Sequence, residues 1–150
     1  MKDLGLLKSF SLLTKYAAGV LQNQLADLEI ERYFSPFLII ADHNGCLTPN
    51  QLADKLKTSK PIVSRIVHHL TTIGYIERRL CDNDRRCSYL HITKKGESKV
   101  ATIKEAFKIM NQKCVSGMSD EEKESFQLLL QKAIDNLQST EHNDINFDYS

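Results

Sequence analysis

The residues best suited to chemistry in this chain are cations and hydroxyls set at helical spacing, followed by two adjacent arginines. Lys57, Ser59, Lys60, Pro61, Ser64, Arg65 and His68 fall between residues 57 and 68, interleaved with apolar positions, and Arg85–Arg86 follow in a polar turn. On a helix the apolar set Val63, Ile66, Val67, Leu70 and Ile73 points inward, which leaves Lys60, Pro61, Ser64, Arg65 and His68 on the outer face. Such a helix offers its N-terminal half and one polar stripe to a major groove of double-stranded DNA. There Arg65 can take a guanine edge in bidentate fashion or grip phosphate, and Ser64 can do either with less discrimination. Lys57 and Lys60 stand at the helix entry, where phosphate contact is expected. Arg85 or Arg86, on a narrow loop, can reach a minor groove, whose negative potential attracts guanidinium. Asp84 is read as orienting this wing, holding either Arg86 or the loop backbone.

The elements that must position these groups are legible from local signals. Thr48-Pro49-Asn50-Gln51 starts a short helix with a cap, a proline at the first helical position and a capping box, and Leu52, Ala53 and Leu56 face inward. Thr58-Ser59 breaks the chain, and Ser59 is expected to cap the next helix, which ends at Gly74. Tyr75–Leu80 reads as a strand, residues 81–87 as a polar turn and Ser88–Ile92 as the returning strand. Upstream, apolar residues from Leu6 to Leu28 follow the three-four spacing of one long helix over about residues 4–28, weakened mildly by Gly19. A second helix is expected over Glu31–Asp42, with Pro36 either kinking it or within its first turns, and His43-Asn44-Gly45 stops it. Thr93 starts another helix, with Val100, Ile103, Phe107, Met110 and Cys114 on one face. Ser119-Asp120-Glu121-Glu122 caps a last one, whose apolar face runs from Phe126 to Leu137. Beyond residue 138 the tail is polar and expected to be disordered.

Charge is distributed to match. Residues 54–104 hold twelve Lys/Arg against five Asp/Glu, whereas the rest hold eight against fourteen, although the net charge is only +1. A basic middle between acidic ends suits a chain of which one part faces phosphate. The chain has 150 residues, 41% hydrophobic and 26% charged, as expected of an ordinary globular domain. It has no apolar run long enough to span a bilayer and no signal-peptide pattern, so a cytoplasmic location without membrane contact is expected.

The cysteines Cys46, Cys81, Cys87 and Cys114 form no CxxC, which argues against structural zinc. Cys81 and Cys87 bracket the hairpin turn and can face each other across the strands as a redox pair, whereas scattered cysteines are expected to be free thiols. His68 and His69 are adjacent and point about 100° apart on a helix, which does not suit a shared metal, and no metal or cofactor is expected. Phosphate-cradling glycine loops, a nucleophile elbow and paired catalytic carboxylates are missing from the sequence, and so is the basis for an enzyme.

The stretch Asp84-x-Arg86-x-x-x-Leu90-x-Ile92-Thr93-x-x-Gly96 follows the motif DxRxxxLxLTxxG, with Ile92 in place of one leucine. LTPNQLADKLKTSKPIVSRIVHHLTTIGYIERR looks like a two-helix DNA-reading unit running into a wing. On these residues the chain resembles the MarR-type winged-helix transcription regulators. The resemblance implies a mainly α fold with a small β-hairpin wing: a winged helix-turn-helix head (about 31–96) on a helical dimerisation stalk (about 4–28 and 100–138). It also implies a homodimer on a pseudo-palindromic operator, more readily a repressor, and a small lipophilic or phenolic effector between stalk and head. Tyr16, Tyr33, Phe37, Ile40 and His43 could line that crevice or be ordinary core residues. The oxidation-sensing branch carries a reactive cysteine in its first helix, and this helix has none. Two other readings stand beside the ligand-responsive one: a winged-helix architectural or protein-interaction module without specific DNA reading, and a cysteine redox-responsive regulator.

Overall fold

Apolar side chains sort into a buried middle and two exposed ends. The computed structural model describes residues 4–30 and 32–139. It contains α1 (Leu4–Gln24), α2 (Phe34–Asp42), α3 (Pro49–Leu56), α4 (Lys60–Thr72), β1 (Ile76–Cys81), β2 (Asp84–Ile92), α5 (Lys94–Cys114) and α6 (Asp120–Ser139). The fold is mainly helical with an antiparallel two-stranded hairpin, as the sequence leads one to expect. The core is centred on Phe37, Ile40, Leu52, Ile66, Leu70, Ile76, Leu90 and Ile103, all essentially inaccessible to solvent. Residues from α2, α3, α4, the hairpin and α5 thus share one apolar centre, consistent with a single head.

Boundaries differ from expectation where tertiary burial overrides periodicity. The first helix ends at Gln24, not Leu28; Leu25 and Leu28 leave the helix in a turn, with Leu25 tucked into the core. Glu31, the expected start of the second helix, lies outside the described residues; α2 starts at Phe34, and Pro36 sits in its first turn, so no kink follows. Asp84–Cys87 belong to β2 rather than to the turn, which is confined to Asp82-Asn83. The polar tail from residue 140 onward lies outside the described residues, and Ser139 closes α6.

Hydrogen bonds at two places tie the hairpin to the elements around it. Leu90 N donates to Leu47 O at 2.8 Å, and Ile92 N donates to the Asn44 side chain at 2.8 Å, so the segment after α2 lies along β2 as a minimal third strand. At the exit, Thr93 N donates to Tyr75 O at 3.0 Å, the Thr93 hydroxyl donates to Gly74 O at 2.6 Å and Gly96 N donates to that hydroxyl at 3.0 Å. The first turn of α5 therefore rests on the backbone that enters β1. Burial, and secondarily the Glu29 carboxylate, push the Tyr75 phenol above its ordinary pKa and keep it neutral in this packing.

The ends of the chain are differently placed. In α1, Leu6, Leu7 and Tyr16 are about two-thirds exposed, and α6 buries no residue, leaving Leu128, Leu129, Ile134 and Leu137 open to solvent. A single solvated chain gains nothing from exposing two such apolar faces.

Candidate nucleic-acid interface

The mounting of α4 begins in α3. Thr48 Oγ1 accepts from Gln51 N at 3.2 Å while Gln51 Oε1 accepts from Thr48 N at 2.9 Å, which completes the capping box. Leu52 and Ala53 are buried behind it. Lys57 ends α3 in the left-handed region at φ 50°, reversing the chain within three residues so that α4 crosses over α3. Ser59 sits at the N-cap position in extended conformation, but its side chain makes no capping bond, contrary to expectation; only its carbonyl engages the helix, accepting from Val63 N at 3.2 Å. The Ser59 hydroxyl is left available to a partner outside the chain.

One face of α4 is buried through Ile62, Val63, Ile66, Val67 and Leu70. Ile62 joins the inward set that spacing predicts, while Ile73, which spacing also turns inward, is only half-buried at the helix end. The opposite face presents Lys60, Pro61, Ser64, Arg65 and His68, all exposed. Arg65, Lys57 and Lys60 make no ion pair or side-chain hydrogen bond with any described residue. His69 is engaged otherwise: its Nε2 lies 2.8 Å from Glu29 O and its ring meets Tyr33 edge-on at 5.1 Å. It is thereby a strut between α4 and the turn after α1.

The hairpin supplies the second cationic group. Residues pair regularly from Ile76↔Ile92 to Leu80↔Ser88, after which Cys81 pairs with Asp84. The shift leaves Arg85, Arg86 and Cys87 without cross-strand partners, a bulge that pushes the two exposed arginines out of the ladder. Asp84 Oδ1 accepts from Arg86 N at 2.8 Å, so the carboxylate holds loop backbone and forms no ion pair with the arginine. Cys81 and Cys87 are joined by a disulfide with Cα atoms 5.5 Å apart, while Cys46 and Cys114 are free. Arg79 pairs with Glu77 at 2.6 Å, but Arg78 is exposed without such a partner. Arg78 is a candidate contact that the sequence pattern alone does not single out, although the Glu77-Arg78-Arg79 run carries the signal.

The five residues that could line an effector crevice do not meet around one cavity. Tyr33, Phe37 and Ile40 are buried in the core, with Phe37 against Tyr75 at 5.5 Å between ring centres. His43 points Nδ1 at Ile39 O, 3.0 Å away, and Tyr16 stands out in solvent on α1. A cavity of about 950 Å³ lies elsewhere, walled by Leu13 and Ala17 of α1, Leu38 of α2, Phe107 and Met110 of α5 and Leu130 of α6. Its walls are the same apolar stripes that read as packing faces, which is why no separate sequence signal marks it. Among the described residues no group of three His, Cys, Asp or Glu side chains could hold a metal ion.

A helix pair whose second member is buried on one face and cationic on the other, followed by an arginine-bearing hairpin, defines a winged helix-turn-helix protein. The profile of the MarR family matches residues 37–88, the segment that contains the helix pair and most of the hairpin. Over that segment the chain is similar to the MarR family. It is 29% identical over 105 residues to the transcriptional repressor MprA of Escherichia coli, covering 70% of this chain and 60% of that protein. With the transcriptional regulator BilQ of Clostridium symbiosum it shares 32% identity over 95 residues, 63% of this chain and 65% of the relative. The chain thus spans somewhat less than two-thirds of these relatives. In fold it is similar to a mutant MarR from Escherichia coli complexed with operator DNA, with a TM-score of 0.77 and 21% identity over 87% of this chain and 93% of that one.

Proposed function

We propose that this protein is a sequence-specific double-stranded DNA-binding transcriptional regulator, acting as a homodimer and as a repressor on a pseudo-palindromic operator. The observation that carries the reading is α4: five buried apolar residues fix it in place, while Lys60, Ser64, Arg65 and His68 stand exposed on its outer side. In this reading Arg65 and Ser64 meet base edges in the major groove, with Pro61 and His68 beside them. Lys57, Lys60 and the free Ser59 hydroxyl hold phosphate, and Arg85 and Arg86 enter the minor groove with Asp84 shaping their loop. Arg78 joins the phosphate contacts. The names of the relatives, a repressor and a regulator, and the operator complex of the structural neighbour support the assignment.

The exposed apolar faces of α1 and α6 support dimerisation through a stalk (about 4–28 and 100–138) that spaces two heads (about 31–96) one helical turn apart on DNA. A dimer bound at a promoter blocks polymerase, and a small lipophilic effector bound among the stalk helices would release DNA if it preferred another head spacing. The 950 Å³ cavity is the place for it in this chain, in preference to the dispersed Tyr16, Tyr33, Phe37, Ile40 and His43. A cytoplasmic location fits this role, and no described helix is long and apolar enough to cross a membrane.

Selection of bound fragments from genomic DNA tests the function: recovered fragments converge on one pseudo-palindrome, and an unenriched, sequence-independent recovery would refute specific reading. Light scattering after size exclusion should give twice the 17.1 kDa chain mass. Leu129→Glu, which places a charge in the α6 face, should shift the protein to monomer at micromolar concentration, since desolvating an unpaired carboxylate costs several kcal/mol or about a thousandfold in association. A monomeric wild type, or a Leu129→Glu variant as dimeric as wild type, would remove the stalk from the proposal.

A further inference from the structure

The disulfide in the wing has a placement that a structural staple does not need. Neither Cys81 nor Cys87 belongs to the apolar core, and the bridge closes a seven-residue loop at the far end of the hairpin, beyond the last regular pair Leu80↔Ser88. None of the core residues lies within the loop that it closes. What it does govern is the bulge: Arg85 and Arg86 lie inside the closed loop, where the Asp84 carboxylate holds the Arg86 backbone N–H and the bridge holds the ends. Both cysteines are half-buried and border a shallow hollow of about 460 Å³ with Leu80, Tyr89 and the 82–84 turn, open enough for a small thiol to reach sulfur.

From this juxtaposition we propose that Cys81–Cys87 is a thiol–disulfide exchange site that sets the DNA grip of the wing. The disulfide form holds Arg85 and Arg86 ready for the minor groove; the dithiol form lets the loop spread and weakens binding. The co-reactants are low-molecular-weight thiols and their disulfides. In oxidation, the thiolate of one cysteine attacks a small disulfide, forming a mixed disulfide and releasing one small thiol. The second cysteine then attacks the mixed disulfide, closing the Cys81–Cys87 bond and releasing the other. Two electrons and two protons pass from the protein dithiol to the small disulfide, which leaves as two small thiols, and the reverse sequence reduces the bridge. Holding the loop backbone that carries the two arginines in advance lowers the loop-ordering cost of binding, so the oxidised form is expected to bind roughly tenfold more tightly. This proposal rests on the DNA-binding reading and adds its regulation.

The test measures fluorescence anisotropy of a labelled A·T-rich duplex of about 30 bp, long enough for two half-sites one turn apart. The full chain carries Cys46→Ser and Cys114→Ser, so that only the wing pair can respond. It is equilibrated with glutathione or with glutathione disulfide, and its thiol state is read by alkylation and mass spectrometry. The expected result is an intramolecular bridge with glutathione disulfide, tenfold tighter binding in that state, and a Cys81→Ser/Cys87→Ser variant fixed at the weaker affinity under both conditions. Equal, tight binding in both states would overturn the switch and leave the DNA reading standing. Tighter binding by the dithiol, or a pair that stays reduced in glutathione disulfide, would overturn it as well. Failure of both forms to bind any duplex would overturn the DNA reading itself, and the switch with it.

Discussion

Gly96→Ala is expected to destabilise the protein by about 3 kcal/mol or more, at the upper end of what overpacking costs, and to lower the unfolding midpoint by roughly 10 °C. A Cβ built on Gly96 would overlap the carbonyl oxygen of Tyr75 and press on Ile92 Cγ1 at 3.1 Å. The first of these neighbours is backbone and cannot swing aside. Moreover, Tyr75 O is already accepting from Thr93 N, and Thr93 is fixed at both ends, to Gly74 O and to Gly96 N. Making room for one methyl group therefore means lifting the first turn of α5 off the strand entry and breaking a cap and a bridge together. Gly5→Ala is the control: nothing lies within 4 Å of its Cβ position, and the change is expected to stay within about 0.5 kcal/mol of wild type. If Gly96→Ala and Gly5→Ala melt alike, by differential scanning calorimetry at equal protein concentration, the close approach at Gly96 is not what joins stalk to wing. The glycine that closes the wing motif thus has a packing reason independent of any contact with DNA.

How far the sequence could be read follows from what periodicity encodes. The capping box at Thr48 and Gln51 and the buried stripe of α4 are local: each depends on residues three or four apart, so spacing alone identifies them. Ile62 borders the stripe, and only the angle at which α4 lies on α3 decides whether such a residue is covered. Leu25 and Leu28 match helical spacing yet lie beyond the end of α1, since a leucine reaching the core from a turn keeps the same alternation as one on a helix. The extent of β2 is hidden for another reason. Asp82 to Arg86 is a polar run that looks like a loop throughout, whereas backbone pairing resumes at Asp84 across a bulge that no side-chain pattern announces. The crevice expected for an effector is least legible. An aromatic residue that lines a cavity and one that fills a core have the same spacing, and Tyr33, Phe37 and Ile40 are of the second kind.

Arg65→Ala/Arg85→Ala/Arg86→Ala is expected to fold and dimerise as wild type does and to weaken affinity for its selected operator at least about a hundredfold. The three guanidinium groups are exposed and unpaired among the described residues, so their removal costs the free protein almost nothing. Their contributions on DNA differ in kind. Arg65, on a helix held by five buried neighbours, gives up little freedom when it meets a base edge; alone, Arg65→Ala should cost about 1–3 kcal/mol and relax preference at one base pair per half-site. In the proposed complex Arg85 and Arg86 act through charge at the backbone and minor groove, so their removal should weaken binding across sequences. It should also flatten the dependence of log affinity on log salt by about one for each phosphate no longer neutralised. Anisotropy titrations at several salt concentrations separate the two effects. Operator-specific weakening with an unchanged salt slope in Arg65→Ala, and a reduced slope with retained sequence preference in Arg85→Ala/Arg86→Ala, would place the groups in the major and minor grooves respectively. A folded, dimeric triple variant that shifts the operator as well as wild type would show that the exposed face of α4 and the wing bulge are not the surfaces that hold DNA.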